Sequence, residues 1–286
     1  MSQPHHRLIH IAGLPVNVYT STPLSSITGN VAVFFFLHGR SGSAADLEPK
    51  IQQIFNRVEV NKAEGGKKQE RELVVVTFDQ RNHGHRLVDE SSIGSWVEGN
   101  PNHAVDMYAM FVGTAKDVSY LIDFLPAYLF PSAQATIDQW LVGGISLGGH
   151  STWWLLRHEP RVSMGIPIIG CPNYTHLITT RASTSNVPLT PPTFPPSFLA
   201  YLQDTDAVGA AYSSDVGNPY RGKKILVLSG ADDTLVPWVS SEEMVNDLNV
   251  GVKKVIVYPG VGHEVPEEMI KEAGDFIWEW ALSVSV

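Results

Sequence analysis

Residues 140–157 read WLVGGISLGGHSTWWLLR, and the reading of this stretch decides the fold. Trp140–Gly143 has the character of a short buried strand, whereas Ser151–Arg157 has the apolar spacing of a helix. Between them, Gly144, Ile145, Ser146, Leu147 and Gly148 fit the pattern G-x-S-x-G, and Gly149 follows. Glycines on both sides of Ser146 let the backbone turn tightly from strand to helix, which lifts the serine hydroxyl above the sheet edge at the helix N-terminus. Taken alone, the pentapeptide is equally well explained as a glycine-rich turn with a capping serine. Its strand-to-helix setting is what points to chemistry.

Outward from this turn, two kinds of apolar run alternate. Short runs at Val31–Leu37, Leu73–Phe78, Trp140–Val142, Met164–Ile169, Ile225–Leu228 and Val255–Tyr258 suit strands buried on both faces. Longer segments at about 44–60, 103–129, 147–158, 239–250 and 265–283 have helical spacing. In the second of these, Met107, Met110, Phe111, Thr114, Val118, Leu121, Ile122 and Leu125 form one buried face. The order predicts an α/β fold, a mostly parallel central sheet of about eight strands with helices on both faces. Leu8–Ile11 and Val16–Tyr19, separated by Gly13-Leu14-Pro15, predict an antiparallel hairpin at the sheet edge. Residues 1–286 read as one domain. Two stretches break the rhythm. Residues 61–72 (NKAEGGKKQERE) read as a solvated loop. Residues 173–222, with five prolines inside Pro188–Pro196 and one short helix near Phe198–Gln203, read as an inserted lid or cap segment over Ser146.

A serine hydroxyl attacks little at neutral pH unless a base takes its proton. The C-terminal third offers a base and a carboxylate to orient it. The run Ile225–Leu228 leads into Asp232-Asp233, and Val255–Tyr258 leads into Gly260-Val261-Gly262-His263. Parallel strands gather their C-terminal ends on one edge, so Ser146, the Asp232/Asp233 loop and His263 are expected to converge there. The backbone N–H of Leu147, just after the serine, is placed to stabilise an oxyanion.

With these residues in view, the chain resembles the α/β-hydrolase superfamily from Val31 to the C-terminal helix. The resemblance rests on GISLGG at 144–149, GADDTLVP at 230–237, GVGHEVP at 260–266, FLHGRSG at 36–42 and DQRNHG at 79–84. It implies a Ser146–His263–Asp233 triad, with Asp232 as the fallback acid, and an oxyanion hole from the N–H groups of Leu147 and Arg40. It also implies a carboxylesterase-type serine hydrolase that needs no cofactor. A peptidase or a lactone or thioester hydrolase on the same fold, similar to the dienelactone-hydrolase and prolyl-oligopeptidase branches, is the alternative, and a catalytically idle ligand-binding member is another. An arginine at position 40 departs from the apolar, aromatic or glycine residue usual there. Its side chain is expected to pair with Asp46 or Asp79, or else to meet an anionic group on the substrate.

Trp153 and Trp154, within two helical turns of Ser146, are core residues by default and pocket wall in the alternative reading. Phe194, Phe198, Leu199 and Tyr201 of the insertion either face an acyl chain or pin the insertion to the body. His83, His85, His5, His6 and His10 match no metal-ligand spacing, so no metal is expected. Cys171 lacks a nucleophile's turn and reads as a buried thiol. A net charge of −9 is the wrong sign for nucleic acid. No apolar run approaches the ~20 residues that span a bilayer, and residues 1–11 lack the apolar stretch of a secretory signal. With a single cysteine, the expectation is a soluble cytoplasmic protein acting on a small-molecule ester. Its oligomeric state is open, a homodimer included.

Overall fold

The stretch Gly29–Leu37 (β3) is apolar on alternate positions of both faces. Val31, Val33, Phe35 and Leu37 enter one core and Ala32, Phe34 and Phe36 the other, all of them solvent-excluded. A strand buried in this way must lie inside a sheet covered on both sides, and each Phe so buried is worth about 1.5–3 kcal/mol.

The computed structural model describes residues 3–285. Around β3 it places β1 (His5–Ile11), β2 (Leu14–Thr20), β5 (Arg71–Thr77), β6 (Ala135–Ile145), β7 (Val162–Ile168), β8 (Lys224–Gly230) and β9 (Val252–Tyr258). The eight strands run in the order β1-β2-β5-β3-β6-β7-β8-β9. β1 and β2 form the expected edge hairpin, β2 pairs antiparallel with β5, and every other pair is parallel. The helices are α1 (Glu48–Glu64), α2 (His103–Leu129), α3 (Leu147–His158), α4 (Tyr174–Thr184), α5 (Pro196–Thr205), α6 (Val239–Asp247) and α7 (Glu267–Ile277). α1 and α7 cover one face of the sheet, while α2, α3 and the later helices α4, α5 and α6 belong to the core on the other.

From β3 the chain steps outward to β5, then crosses back to β6 and continues to β9. The adjacent strands β3 and β6 therefore send their following helices, α1 and α3, to opposite faces. The C-terminal edge where these connections diverge is the place at which open α/β sheets put their ligand crevices.

Two segments differ from the sequence reading. Residues 61–64 continue α1, because Asn61 is buried and its amide donates to Asp275 on α7 at 2.7 Å. Lys67–Gln69 (β4) then pairs with Ser283–Ser285 (β10) in a separate two-stranded sheet, so 61–72 is not simply a solvated loop. The C-terminal helix correspondingly stops at Ile277, and a π-helical turn over Trp278–Leu282 leads into β10.

The segment 173–222 holds two α-helices and a 3-10 turn over Ala207–Gly209, not one short helix. Tyr174–Thr184 is rich in threonine, a weak helix former, and owes its start to local capping. The Asn173 side chain accepts from the His176 N–H at 2.9 Å, and the Asp206 carboxylate accepts from the Tyr174 and Thr175 N–H groups at 3.2 and 2.9 Å and from the Thr175 hydroxyl at 2.7 Å. Asp206 directly follows α5, so one buried carboxylate ties both helices together. Tyr174 fastens the segment to the body through its hydroxyl, which donates to the Ala104 carbonyl of α2 at 2.8 Å, while the Tyr220 hydroxyl braces the segment internally by donating to the Ala207 carbonyl at 2.8 Å. Replacing Asp206 with Ala is expected to destabilise the protein by roughly 1–3 kcal/mol, since it strands helix amides without acceptors. An unchanged urea midpoint would show that the carboxylate is not the anchor.

Candidate active site

At the end of β6 the backbone makes the turn that the glycines allow. Ser146 has φ 53° and ψ −107°, outside the regions that L-residues favour, and is held there by its N–H donating to Ile168 at 2.8 Å. The flanking glycines are demanded by close approach. A Cβ on Gly144 would lie 2.5 Å from the Gly148 backbone, and one on Gly148 would lie 2.4 Å from the Leu37 carbonyl oxygen. The same contact lets the Gly148 N–H donate to the His38 carbonyl at 3.1 Å, joining the start of α3 to the loop after β3.

His263 stands opposite Ser146. Its Nδ1 lies 2.7 Å from Asp233 Oδ2 and its Nε2 2.9 Å from Ser146 Oγ. A carboxylate can only accept, so Nδ1 carries the proton and Nε2 is left to accept from the serine hydroxyl. The other oxygen of Asp233 accepts from the Leu235 and Val236 N–H groups at 2.9 and 2.8 Å, and the residue is 3% exposed. The neighbouring Asp232 is exposed. Backbone bonds from Ala231 to Tyr258 (2.9 Å) and from Asp232 to Val261 (3.0 Å) stitch the two loops together, which fixes His263 relative to Asp233.

The loop His38–Gly42 is built with similar redundancy. His38 Nδ1 donates to the Gly39 carbonyl at 2.7 Å and Nε2 accepts from the Gln80 N–H at 2.9 Å, while the Gln80 amide donates to the His38 carbonyl. Asp79 accepts from the Ala44 and His85 N–H groups at 2.8 Å each. Burial alone would raise the Asp79 carboxyl, but these donors hold it below its ordinary value. The motif at 79–84 thus acts as scaffold for the loop that carries Arg40. Among the described residues neither the Arg40 N–H nor the Leu147 N–H has an acceptor.

The Arg40 side chain pairs with neither Asp46 nor Asp79. Asp46 is taken by the Ser43 N–H and hydroxyl, Asp79 by the amides just described, and Arg40 turns instead to the Ile93 carbonyl at 2.9 Å. Its nearest carboxylate is the exposed Glu98 at 3.9 Å. Trp153 and Trp154 are core residues rather than pocket wall. Trp153 is 1% exposed, donates to the Gly170 carbonyl at 3.3 Å and packs on Tyr220, while Trp154 stacks on His158. Phe194 and Phe198 are buried against Trp96 and Tyr108, whereas Leu199 and Tyr201 are 40% and 41% exposed. Cys171 is buried with its thiol pKa pushed up by desolvation, as suits a structural residue.

One residue beside the site escaped the sequence reading. Arg181 of α4 donates to the Leu235 carbonyl, two residues past Asp233, at 2.6 Å. A signal was present: from Asn173 to Gln203 the chain has no Asp or Glu, so this arginine has no local partner.

No protein-family model and no curated protein matches the chain. Solved structures do. TT1662 from Thermus thermophilus superposes with TM-score 0.64 at 18% identity, covering 98% of both chains. Acetyl xylan esterase 1 from Thermoanaerobacterium sp. gives 0.60 at 16%, covering 97% of this chain and 88% of that one. The acylaminoacyl peptidase of Pyrococcus horikoshii gives 0.55 at 14%, covering 97% of this chain but only 41% of its own. At these identities the likeness is one of fold, and the chain has the α/β-hydrolase fold. Among the described residues no helix is long and apolar enough to cross a membrane.

Three histidines around the site, His38, His103 and His150, are lowered to about 4, in each case chiefly by burial. In the unfolded chain they titrate near 6.5. Between these values the unfolded state binds more protons, so stability must fall as pH drops, with about three protons taken up on unfolding near pH 5. Urea midpoints measured from pH 7 to 5 are expected to decline steadily. A flat profile over that interval would contradict the neutral burial of these rings.

Proposed function

We propose that the chain is a serine hydrolase of carboxylic esters, with Ser146 as nucleophile, His263 as base and Asp233 as the acid that orients it. The observation that carries this reading is the unbroken hydrogen-bond chain from Ser146 Oγ through His263 to Asp233, at 2.9 and 2.7 Å. Ser146 attacks the acyl carbon while His263 Nε2 takes its proton. The negative oxygen of the tetrahedral intermediate is received by the N–H groups of Leu147 and Arg40. Collapse expels the alcohol, which collects the proton from His263, and water activated by the same imidazole releases the acid and restores the serine. No cofactor enters any step. The acetyl xylan esterase among the structural neighbours supports the ester reading. The same proposal assigns 173–222 as the cap over the acyl centre, supported by the reach of Arg181 to the loop that bears Asp233.

Hydrolysis of p-nitrophenyl esters tests the reading. Ser146→Ala and His263→Ala are each expected to lower kcat by about 10⁴-fold or more, since the two residues perform one proton transfer. A serine variant that keeps a tenth of the activity would overturn it. Asp233→Asn is expected to lose far more than Asp232→Asn, because only a carboxylate at Nδ1 holds the productive tautomer. The reverse ranking would move the acid to Asp232.

A further inference from the structure

Arg181 is a cation with no direct ion-pair partner among the described residues. Its Nη2 is spent on the Leu235 carbonyl, its Nη1 lies 3.4 Å from the Met107 sulfur, a weak acceptor, and its Nε is buried with no partner. Burial chiefly works against its protonation, the charge of Arg40 adds to this, and the nearby Asp233 offsets part of it. Structures rarely keep a guanidinium in such a place without a use for it, because a buried charge without a direct partner is costly.

Its neighbours repeat the pattern. Arg40 has only a backbone carbonyl and the distant, exposed Glu98. The Trp96 indole N–H is buried without an acceptor, and the ring packs on His103 at 5.0 Å and on Phe194 at 5.9 Å. The charges of Arg181 and Arg40 both act on His103, adding to the burial that keeps this ring neutral. Its Nδ1–H donates to the Gly94 carbonyl at 3.0 Å. The charges of two arginines thus act on one neutral histidine, against which the Trp96 ring with its unpartnered N–H packs, and Arg181 also reaches the loop that bears Asp233. Asp233 is itself occupied by His263 and two backbone amides.

We propose that Arg181 and Arg40, with the Trp96 N–H, bind a carboxylate carried by the ester substrate, so that the preferred substrates are anionic esters. The proposal rests on the serine-hydrolase reading and names its substrate class. A guanidinium matches a carboxylate by charge and by its planar fork. Asp233 and Glu98 border the group, which favours a monoanion over a phosphate dianion. The carboxylate belongs to the acyl part or to the alcohol part, and paired substrates separate the two. Monomethyl glutarate against methyl pentanoate places the charge on the acyl side, and 4-acetoxybutanoate against butyl acetate places it on the alcohol side.

The wild-type enzyme is expected to favour one charged ester over its uncharged counterpart by at least tenfold in kcat/KM. Arg181→Gln is expected to reduce that preference at least tenfold, mainly through KM, with Arg181→Lys retaining part of it and Arg40→Gln reducing it as well. Absence of preference in both pairs, or equal losses for charged and uncharged esters in Arg181→Gln, would overturn the proposal and leave Arg181 as a brace for Leu235. Calorimetric titration of both charged esters into Ser146→Ala reads the anion site apart from turnover. Binding that disappears in the Ser146→Ala, Arg181→Gln double variant supports the site even if no ester is hydrolysed, in which case the hydrolase reading alone fails. Absence of binding for both esters contradicts the site.

Discussion

The start of α3 touches the end of β3 so closely that no side chain fits between them, and the rest of the site depends on this contact. Gly148 lies against the Leu37 carbonyl and donates its N–H to His38. Because α3 must start against β3 while the chain arrives from β6, the turn between β6 and α3 is tight, and Ser146 makes it at a positive φ with its hydroxyl raised toward His263. The loop holding Arg40 is pulled alongside the serine by the same bond, so the Ser146 hydroxyl and the N–H groups of Arg40 and Leu147 are positioned together. Backbone strain at Ser146 is offset by the packing of two fully covered sheet faces around it.

A second layer of constraint is polar and lies outside the reacting groups. Asp79, Gln80 and His38 exchange hydrogen bonds across the ends of β3 and β5, and Asp206 binds the first amides of α4. Each is a buried polar group whose partners are backbone atoms of a loop or helix end. Such bonds fix loops that have no regular secondary structure to hold them. Burial keeps His38 and His150 neutral, so the proton shared by Ser146 and His263 has no charged imidazole from these two beside it.

Much of the architecture was legible in the sequence because it depends on local rules. Alternating burial in Val31–Leu37, the helical stripe of α2 and the glycines around Ser146 each carry a period or a steric demand that the residues state directly. The helix α4 was not legible, since its threonines argue against a helix and, beside its N-cap Asn173, the Asp206 carboxylate that binds its first amides comes from far along the chain. β4 and β10 were not legible either, being three residues each and paired across most of the chain length. Within the site, the meeting of Ser146, His263 and one of two adjacent aspartates followed from strand ends sharing an edge. The partner of Arg40 did not, because Ile93 ends a single 3-10 turn, Ser91–Ile93, with no pattern to place it. Arg181 shows the limit most clearly: its isolation from acidic residues is visible in the sequence, but its position beside Leu235 exists only once the insertion has folded against the sheet.

The most direct test of the account is covalent labelling. A fluorophosphonate reacts with a serine whose proton is removed by a neighbouring base and whose phosphoryl oxygen is received by oriented N–H donors, so it reads nucleophile, base and oxyanion hole at once. Mass spectrometry of the intact protein followed by peptide mapping is expected to find one adduct per chain, on Ser146, and none in protein whose His263 is replaced by Ala. A protein that stays unmodified, or that carries the adduct on another residue, would contradict the assignment of Ser146 as an activated nucleophile.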